Sequence, residues 1–268
     1  MEKIGLLAGI GKLPVEFARA ALAMGLGVFA VALVDGTDEA LKQNVTDMQK
    51  ISIARLDTII KYLKEHGITQ VTMIGKVTKE IMFSGEHAQP DERMTRLLLS
   101  LSDRSDDTMM FAFIQELAKE NIQVFDQTAL IRKLMVHEGI LTRREPSAEE
   151  KADMDYGFQM AKAIGGLDIG QTVVVKHQAV MAVEAIEGTD ACILRGGKLA
   201  RGGAIVAKVA KPKQDIRFDV PAVGVTTIES MIQAGAAGLV LEAGKTLLVE
   251  KEKVIALADK NEITIVAM

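Results

Sequence analysis

Residues 4–36 read IGLLAGIGKLPVEFARAALAMGLGVFAVALVDG, and this stretch indicates the fold class of the N-terminal half. Residues 4–8 and 27–34 are apolar runs of strand length, which is typical of strands buried in a parallel sheet. Between them, Pro14 suits the first turn of a helix, and apolar side chains recur at helical spacing as far as Met24. The order of strand, glycine loop, helix and strand resembles the first half of a nucleotide-binding α/β domain.

The glycine loop matches only part of a dinucleotide-binding fingerprint. Gly9 and Gly11 correspond to its first two glycines, but Pro14 replaces the third. Asp35 follows the second apolar run, where a ribose-binding acid is expected. Gly9 and Gly11 are therefore candidate phosphate contacts, and a tight turn that packs the first helix is the alternative interpretation.

Composition excludes several classes of protein. The net charge of −4 and the pI of about 5.7 argue against a general nucleic-acid-binding protein, as does the lack of Trp. Cys192 is the single cysteine, which excludes an intramolecular disulfide and fits a reducing compartment. The N-terminus does not resemble a secretory signal, and no run of about 18 apolar residues predicts a membrane span. We therefore expect a cytoplasmic protein.

The pattern of elements predicts two α/β domains. Apolar runs alternate with helical segments as far as a last helix expected from Gln127 towards His137, which predicts a Rossmann-like parallel-sheet domain over residues 1–137. Residues 138–147 contain Gly139 and Pro146, show no helical period and are predicted to be a linker. Residues 148–268 are predicted to be a mixed α/β domain with hairpins.

Turn and capping signals organise the second domain. Ser147 and Glu150 form a capping box at the start of a helix. Two hairpins are predicted, one around residues 177–178 and one around residues 244–245. A helix is expected near residue 190, capped by Thr189 or Asp190, and the glycine-rich basic stretch 195–203 after it is predicted to be an exposed loop.

The segment 208–227 carries the charges that suggest chemistry. It contains two prolines, and its residues are too polar for a core. Its candidate ligands of an anion and a metal ion are Lys208, Lys211, Arg217, Asp215 and Asp219. Thr226 and Glu229 predict a capping box for the helix that follows. Cations and carboxylates before a helix N-terminus suit an anion with a hard metal ion, and a solvated connecting loop is the alternative.

Several other chemistries lack their residues. The sequence contains no Gly-x-Ser-x-Gly motif, and its four histidines show no metal-binding spacing. The remaining carboxylates are Glu187, Asp190, Asp215 and Asp219. Together with nearby lysines and arginine, they suit a Mg²⁺-assisted attack of water on a phosphate ester or anhydride.

Motifs along the whole chain also carry a resemblance. They are IGLLAG with Leu13-Pro14, GLDIGQ at 166–171, the VEAxEGTD pattern at 183–190, Lys211-Pro212, and the RFDVPxVG pattern at 217–224. In these motifs the chain resembles the UDP-2,3-diacylglucosamine pyrophosphatase family of lipid A biosynthesis, in the branch unrelated to the metallophosphoesterases. Ile10 stands where many members of that family have a smaller residue.

The resemblance implies an activity and site residues. It implies a Mg²⁺-dependent hydrolase that splits UDP-2,3-diacylglucosamine into UMP and 2,3-diacylglucosamine 1-phosphate. Asp219 corresponds to the aspartate that the family requires for catalysis, either as a metal ligand or to orient water. Glu187 and Asp190 are implied as further metal ligands. The implied substrate contacts are Gly188, Thr189, Lys208, Lys211, Arg217 and, in the first domain, Gly9 and Gly11.

The resemblance also implies the surroundings of the protein. A lipid-linked UDP-sugar substrate implies transient contact with the inner membrane surface, and a homodimer is implied at the level of the family. Two other functions compete with the hydrolase. One is a nucleotide-sugar-binding or lipid-nucleotide-binding protein without turnover, and the other is an NAD-dependent oxidoreductase.

Overall fold

The computed structural model describes residues 1–77, 89–103, 106–212, 214–215, 217 and 219–268. The chain divides into two compact units, and each is described by itself. The first consists of Met1–Arg132 together with Arg217, and the second consists of Lys133–Asp215 and Asp219–Met268.

A parallel sheet forms the centre of the first unit. Its strands are β1 (Lys3–Ala8), β2 (Gly27–Ala32), β3 (Asp47–Lys50), β4 (Gln70–Ile74) and β5 (Gln123–Val124). Their order in the sheet is β3-β2-β1-β4-β5, and every neighbouring pair is parallel. The helices are α1 (Leu13–Ala23), α2 (Leu56–Glu65), α3 (Glu92–Ser100) and α4 (Asp106–Lys119). The predicted Rossmann-like class is therefore confirmed for this unit.

Continuous apolar runs become the central strands. All six residues of β2 are buried, because a strand inside a helix-covered parallel sheet has no solvated face.

The helix predicted from Gln127 towards His137 is wrong. The Asp126 carboxylate instead accepts hydrogen bonds from the backbone N–H and hydroxyl of Thr128, which favours a turn, and only Arg132–Leu134 forms a 3₁₀ turn.

A mixed sheet forms the centre of the second unit. The strands of this unit are β6 (Gly139–Ile140), β7 (Thr172–Lys176), β8 (Ala179–Val183), β9 (Ile205–Lys208), β10 (Ala222–Val223), β11 (Gly238–Leu241), β12 (Leu247–Leu248) and β13 (Thr264–Ala267). Six of them follow the order β6-β13-β11-β9-β7-β8, while β10 and β12 form a separate pair. The helices are α5 (Ala148–Gly166), α6 (Thr189–Ala200), α7 (Val225–Ala234) and α8 (Lys251–Lys260). This arrangement confirms the predicted mixed α/β class.

Alternating side chains of the six-stranded sheet contact different helices. Val173 and Val175 belong to an apolar cluster with Met154 of α5. Val174, between them, belongs to another cluster with Ile193 of α6 and helices α7 and α8. Because successive side chains of a strand point to opposite faces, α5 covers one face of the sheet and α6 the other. Within the described part of the chain, no helix combines the length and apolar character needed to cross a membrane.

One predicted hairpin is confirmed and the other is wrong. Strands β7 and β8 pair in antiparallel fashion across His177 and Gln178, which both have positive φ. Around Gly244 the chain does turn, but β11 lies between β9 and β13, so neither of its edges remains for residues 247–248. Those residues pair with β10 instead.

The capping predictions had mixed outcomes. Ser147 and Glu150 form the predicted capping box of α5. The box predicted at Thr226 is wrong, because α7 begins at Val225 and Gly224 is its N-cap without a side-chain bond.

The predicted linker, residues 138–147, contains β6, which pairs with β13. Arg144 in the same stretch donates a hydrogen bond to Glu150.

The glycine-rich basic stretch is not the exposed loop that the sequence predicted. Most of it belongs to α6, where a Cβ on Gly196 would lie 2.5 Å from Val174 and one on Gly197 would lie 2.4 Å from Ala234. These two glycines let α6 approach β7 and α7 closely. Their role is therefore packing.

Candidate functional site

A buried lysine and a threonine meet at the end of β9. Lys208 is the last residue of β9, and its residue surface is only 6% exposed. The Lys208 Nζ donates a hydrogen bond to the Thr189 hydroxyl over 2.9 Å. Two of the predicted phosphate contacts, which are separated along the chain, are thus in direct contact.

Glu184 completes this group. The Thr189 hydroxyl donates to the Glu184 carboxylate over 2.8 Å, and Glu184 is 7% exposed. A buried cation and a buried carboxylate therefore share one hydroxyl, so each charge has a polar partner. The hydroxyl hydrogen is directed to Glu184, which makes the Lys208 ammonium the stronger of the two candidate donors to a phosphate.

The position of Glu184 follows from the end of the hairpin. The Glu184 carboxylate also accepts the Gln171 N–H at 3.3 Å, and a Cβ on Gly170 would lie 2.1 Å from the Glu184 carbonyl oxygen. The chain before β7 therefore passes directly against the chain after β8. Sequence reasoning missed Glu184, although an acidic residue that ends the apolar run 179–183 was a visible signal.

The stretch Gly188–Asp190 forms the start of α6. Gly188 is the N-cap with a φ of 81°, and no side chain caps the helix. The predicted caps Thr189 and Asp190 are wrong, because both lie inside the helix and the Thr189 hydroxyl is used by Lys208 and Glu184. Asp190 is exposed in the first turn, where a carboxylate interacts favourably with the helix dipole.

The carboxylate of Glu187 interacts with an arginine. Arg195 of α6 forms an ion pair with Glu187 and also donates to the Val183 carbonyl, while the Ala185 N–H donates to Glu187. The hydrogen bond from Arg195 is the main reason why the pKa of Glu187 lies below its ordinary value. A Glu187 that binds a metal would have to share or give up this arginine.

The start of the polar segment is held by bonds to the loop that precedes β7. The Lys211 Nζ donates to Asp168 over 2.6 Å, and the Lys211 N–H donates to the Gln214 side chain over 2.9 Å. The Val209 N–H donates to the Gln171 carbonyl. Lys211 is thus positioned by contacts within the second unit.

The remainder of the segment carries the predicted catalytic residue. The Asp219 N–H donates to the Asp215 carbonyl over 2.9 Å, so the backbones of the two aspartates are in direct contact. Arg217 groups with the first unit, where its guanidinium carbon lies 5.9 Å from the centre of the Phe111 ring.

Gly9 packs against the end of another strand, whereas a Cβ on Gly11, which has a φ of 114°, would meet nothing within 4 Å. The N–H of Gly9 donates to Ile74, and the N–H of Ile10 donates to Lys76. A Cβ on Gly9 would lie 2.7 Å from the Lys76 carbonyl oxygen, so this glycine allows close approach of two backbones. These contacts place Gly9 against the end of β4 rather than against the first helix, and the phosphate contact of Gly9 stays a prediction. The predicted ribose-binding acid, Asp35, forms an ion pair with Lys50.

The aspartates of the polar segment are among the predicted Mg²⁺ ligands. Among the described residues, no group of three or more His, Cys, Asp or Glu side chains could by itself hold a metal ion. Mg²⁺ commonly takes one or two carboxylates together with substrate phosphates and water. The oxygen donors Asp215 and Asp219 fit that mode of binding in their chemistry.

Comparison with known proteins identifies relatives across the whole chain. The models of the LpxI N-terminal domain and the LpxI C-terminal domain match residues 3–134 and 137–266. A protein of Caulobacter vibrioides named UDP-2,3-diacylglucosamine pyrophosphatase LpxI is 36% identical over an alignment that covers 97% of this chain and 95% of that protein.

More distant similarities cover less of the chain. The bifunctional purine biosynthesis protein PurH of Sinorhizobium medicae is 27% identical over 140 residues, covering 47% of this chain and 23% of that protein. Among solved structures, N5-carboxyaminoimidazole ribonucleotide synthetase from Thermotoga maritima shares 15% identity. The match covers 69% of this chain and 41% of that chain, with a TM-score of 0.26, which is too low to relate the folds.

Proposed function

Because this chain belongs to the LpxI family of pyrophosphatases, we propose that it hydrolyses UDP-2,3-diacylglucosamine with Mg²⁺, releasing UMP and 2,3-diacylglucosamine 1-phosphate. The observation that carries the proposal is the 36% identity to the Caulobacter protein over nearly the full length of both chains. In the reaction, the oxygen of a water molecule bonds to one phosphorus of the diphosphate, that water gives up a proton, and the bridging P–O bond to the same phosphorus breaks. The bridging oxygen leaves with the other phosphate.

Lys208 is the residue that we assign to the diphosphate. Its ammonium is buried, and burial strengthens the attraction between a cation and phosphate oxygens because less water screens it. The contact with Thr189 fixes the ammonium before substrate arrives, so little reorganisation is needed in the transition state. Lys211, held by Asp168, is a second candidate cation for the same anion.

Asp219 is the proposed catalytic carboxylate. We assign it either to Mg²⁺ or to the attacking water, and a backbone hydrogen bond keeps Asp215 beside it. When bound, Mg²⁺ would supply charge neutralisation at the phosphate oxygens. Asp190 remains a further candidate ligand, whereas Glu187 is the weaker candidate because Arg195 pairs with it.

The lipid-linked substrate also bears on where the protein acts. We propose a cytoplasmic enzyme that contacts the inner membrane surface transiently, since an amphiphilic substrate partitions to that surface. We also propose that the protein forms a homodimer, because the resemblance to the family implies one.

The first experiment measures UMP release from UDP-2,3-diacylglucosamine with Mg²⁺ and with EDTA. It compares the wild type with Asp219→Ala and with Asp155→Ala, which removes an exposed carboxylate of α5 as a matched control. We expect metal-dependent release that Asp219→Ala loses and Asp155→Ala retains. Reaction in ¹⁸O-labelled water identifies the attacked phosphorus, since the label enters either UMP or the lipid phosphate.

Two outcomes would change the assignment. Tight binding of the substrate by a folded wild type without turnover would favour a lipid-nucleotide-binding protein. Full activity of Asp219→Ala would keep the function and remove Asp219 from the site.

A further inference from the structure

A second buried carboxylate lies next to the polar segment. Glu242 directly follows β11 and is 8% exposed. The end of β11 pairs with the end of β9, since Leu241 is the register partner of Lys208. Glu242 therefore lies beside the point where the polar segment leaves the sheet.

Both backbone groups of Ala210 are bonded to side chains at this point. The Ala210 N–H donates to the Glu242 carboxylate over 2.9 Å. The Ala210 carbonyl accepts from the Lys162 Nζ over 2.9 Å, and Lys162 in turn bonds both Glu242 oxygens at 3.0 and 3.1 Å. These three residues, called here the Ala210 clamp, come from α5, the segment and the end of β11.

The clamp acts on a short and functionally dense part of the chain. Ala210 lies two residues after Lys208 and directly before Lys211. The end of α5 also packs against this part of the chain, since a Cβ on Gly165 would lie 3.4 Å from the Lys211 Cα. Most backbone groups are bonded to other backbone groups. At Ala210 both the N–H and the carbonyl are instead bonded to charged side chains, which hold this residue in place.

We infer that Glu242, with Lys162, is a positioning residue that fixes the start of the 208–219 segment and thereby the groups that act on the diphosphate. This inference rests on the proposed function for its consequence in catalysis. Small displacements of positioned groups lower the rate of reaction strongly, because the reacting groups lose their alignment. Loss of the clamp is therefore expected to lower kcat more than it raises KM.

The chain offers a conservative variant and a matched control for the test. Glu242→Ala removes the acceptor of the Ala210 N–H, whereas the amide oxygen of Glu242→Gln can still accept it. Lys245 bonds the same carboxylate at 2.9 Å but is 59% exposed, whereas the two bonds to Ala210 come from Glu242 and Lys162. Lys245→Ala therefore removes a charge from Glu242 and leaves both bonds to Ala210 in place.

The experiment measures amide hydrogen exchange of the segment and steady-state kinetics with UDP-2,3-diacylglucosamine for the full-length variants. We expect Glu242→Ala to speed exchange in residues 210–219 and to lower kcat at least tenfold, with KM changed less than threefold. Glu242→Gln should recover most of kcat, and Lys245→Ala should match the wild type in both measurements.

Other results would overturn the inference. Unchanged exchange in 210–219 for Glu242→Ala would show that the clamp does not hold the segment. Faster exchange throughout the second unit in both Glu242 variants would assign Glu242 to the fold as a whole. A wild type without turnover would refute the proposed function, while the exchange measurement would still decide whether Glu242 holds the segment.

Discussion

The Lys208 ammonium and the Glu184 carboxylate, both buried, are joined through the hydroxyl of Thr189, which accepts from Lys208 at 2.9 Å and donates to Glu184 at 2.8 Å. One hydroxyl is thus an acceptor for a cation and a donor to an anion. Lys208, which we assign to the substrate, is therefore linked to Glu184, whose negative charge balances the charge of the lysine.

Replacement of Lys208 tests its assignment to the diphosphate. Lys208→Met keeps the length of the side chain and removes the charge, so we expect kcat to fall by on the order of a hundredfold, as when one preorganised donor to a reacting anion is removed. The measurement is UMP release at saturating substrate. Lys151→Met, which removes an exposed lysine of α5, serves as the control and should retain activity. Lys208→Met with wild-type turnover would contradict the assignment.

Replacement of Thr189 tests the energetic role of the shared hydroxyl. Thr189→Val keeps the shape of the side chain but leaves two buried charged groups without this partner, so we expect a loss of about 1–3 kcal/mol in the free energy of unfolding. Urea denaturation gives the value. Thr189→Ser keeps the hydroxyl and should lose less. Equal stability of the valine and serine variants would show that the hydroxyl bonds contribute nothing measurable.

The approach of the chain at Gly170 to Glu184 predicts a steric effect. A Cβ at Gly170 would lie 2.1 Å from the Glu184 carbonyl oxygen, so Gly170→Ala must displace the backbone. We expect a loss of about 1–3 kcal/mol in the free energy of unfolding, as in other overpacked sites.

Gly166 is a nearby control for the same substitution. A Cβ on this last residue of α5 would meet nothing within 4 Å. Gly166→Ala should be neutral or stabilise by up to about 1 kcal/mol, since alanine favours helix. Thermal unfolding of both variants compares them directly, and equal stability of the two would contradict the predicted contact at Gly170.

The electrostatics of Glu242 predict a pH dependence of stability. Burial raises its pKa, but hydrogen bonds from Lys245, Lys162 and the Ala210 N–H outweigh burial, so the pKa lies below the ordinary value of 4.5. The unfolded chain therefore takes up this proton at a higher pH than the folded protein does. The stabilisation is fully present above pH 4.5 and is lost as the pH falls through the folded-state pKa.

Glu242→Gln removes this titration. We expect the variant to be less stable than the wild type at pH 7, and the difference to shrink as the pH falls below 4.5. Urea denaturation from pH 7 to pH 3 measures the difference in the free energy of unfolding. A difference that stays constant over this range would show that the Glu242 charge is not the cause.

The sequence alone determined the parts of this protein that depend on local pattern. Buried runs such as residues 27–34 predicted parallel strands, and Ser147 with Glu150 predicted a helix start, because both signals lie within a few residues. The hairpin at residues 177–178 was confirmed for the same reason. The charged segment 208–219 also stood out, since polar residues between an apolar strand and a helix are visible without a structure.

Tertiary structure decided what local pattern could not. The local pattern predicted that residues 247–248 pair with β11, but β9 and β13 occupy both edges of that strand. The local pattern also predicted a loop at glycines 196 and 197, but these residues lie in α6, where close packing requires glycine. The sequence did not single out Glu184 and Glu242, because their hydrogen-bond partners lie elsewhere along the chain. A buried charge acquires its role from the groups that replace its water, and only the folded chain brings those groups together.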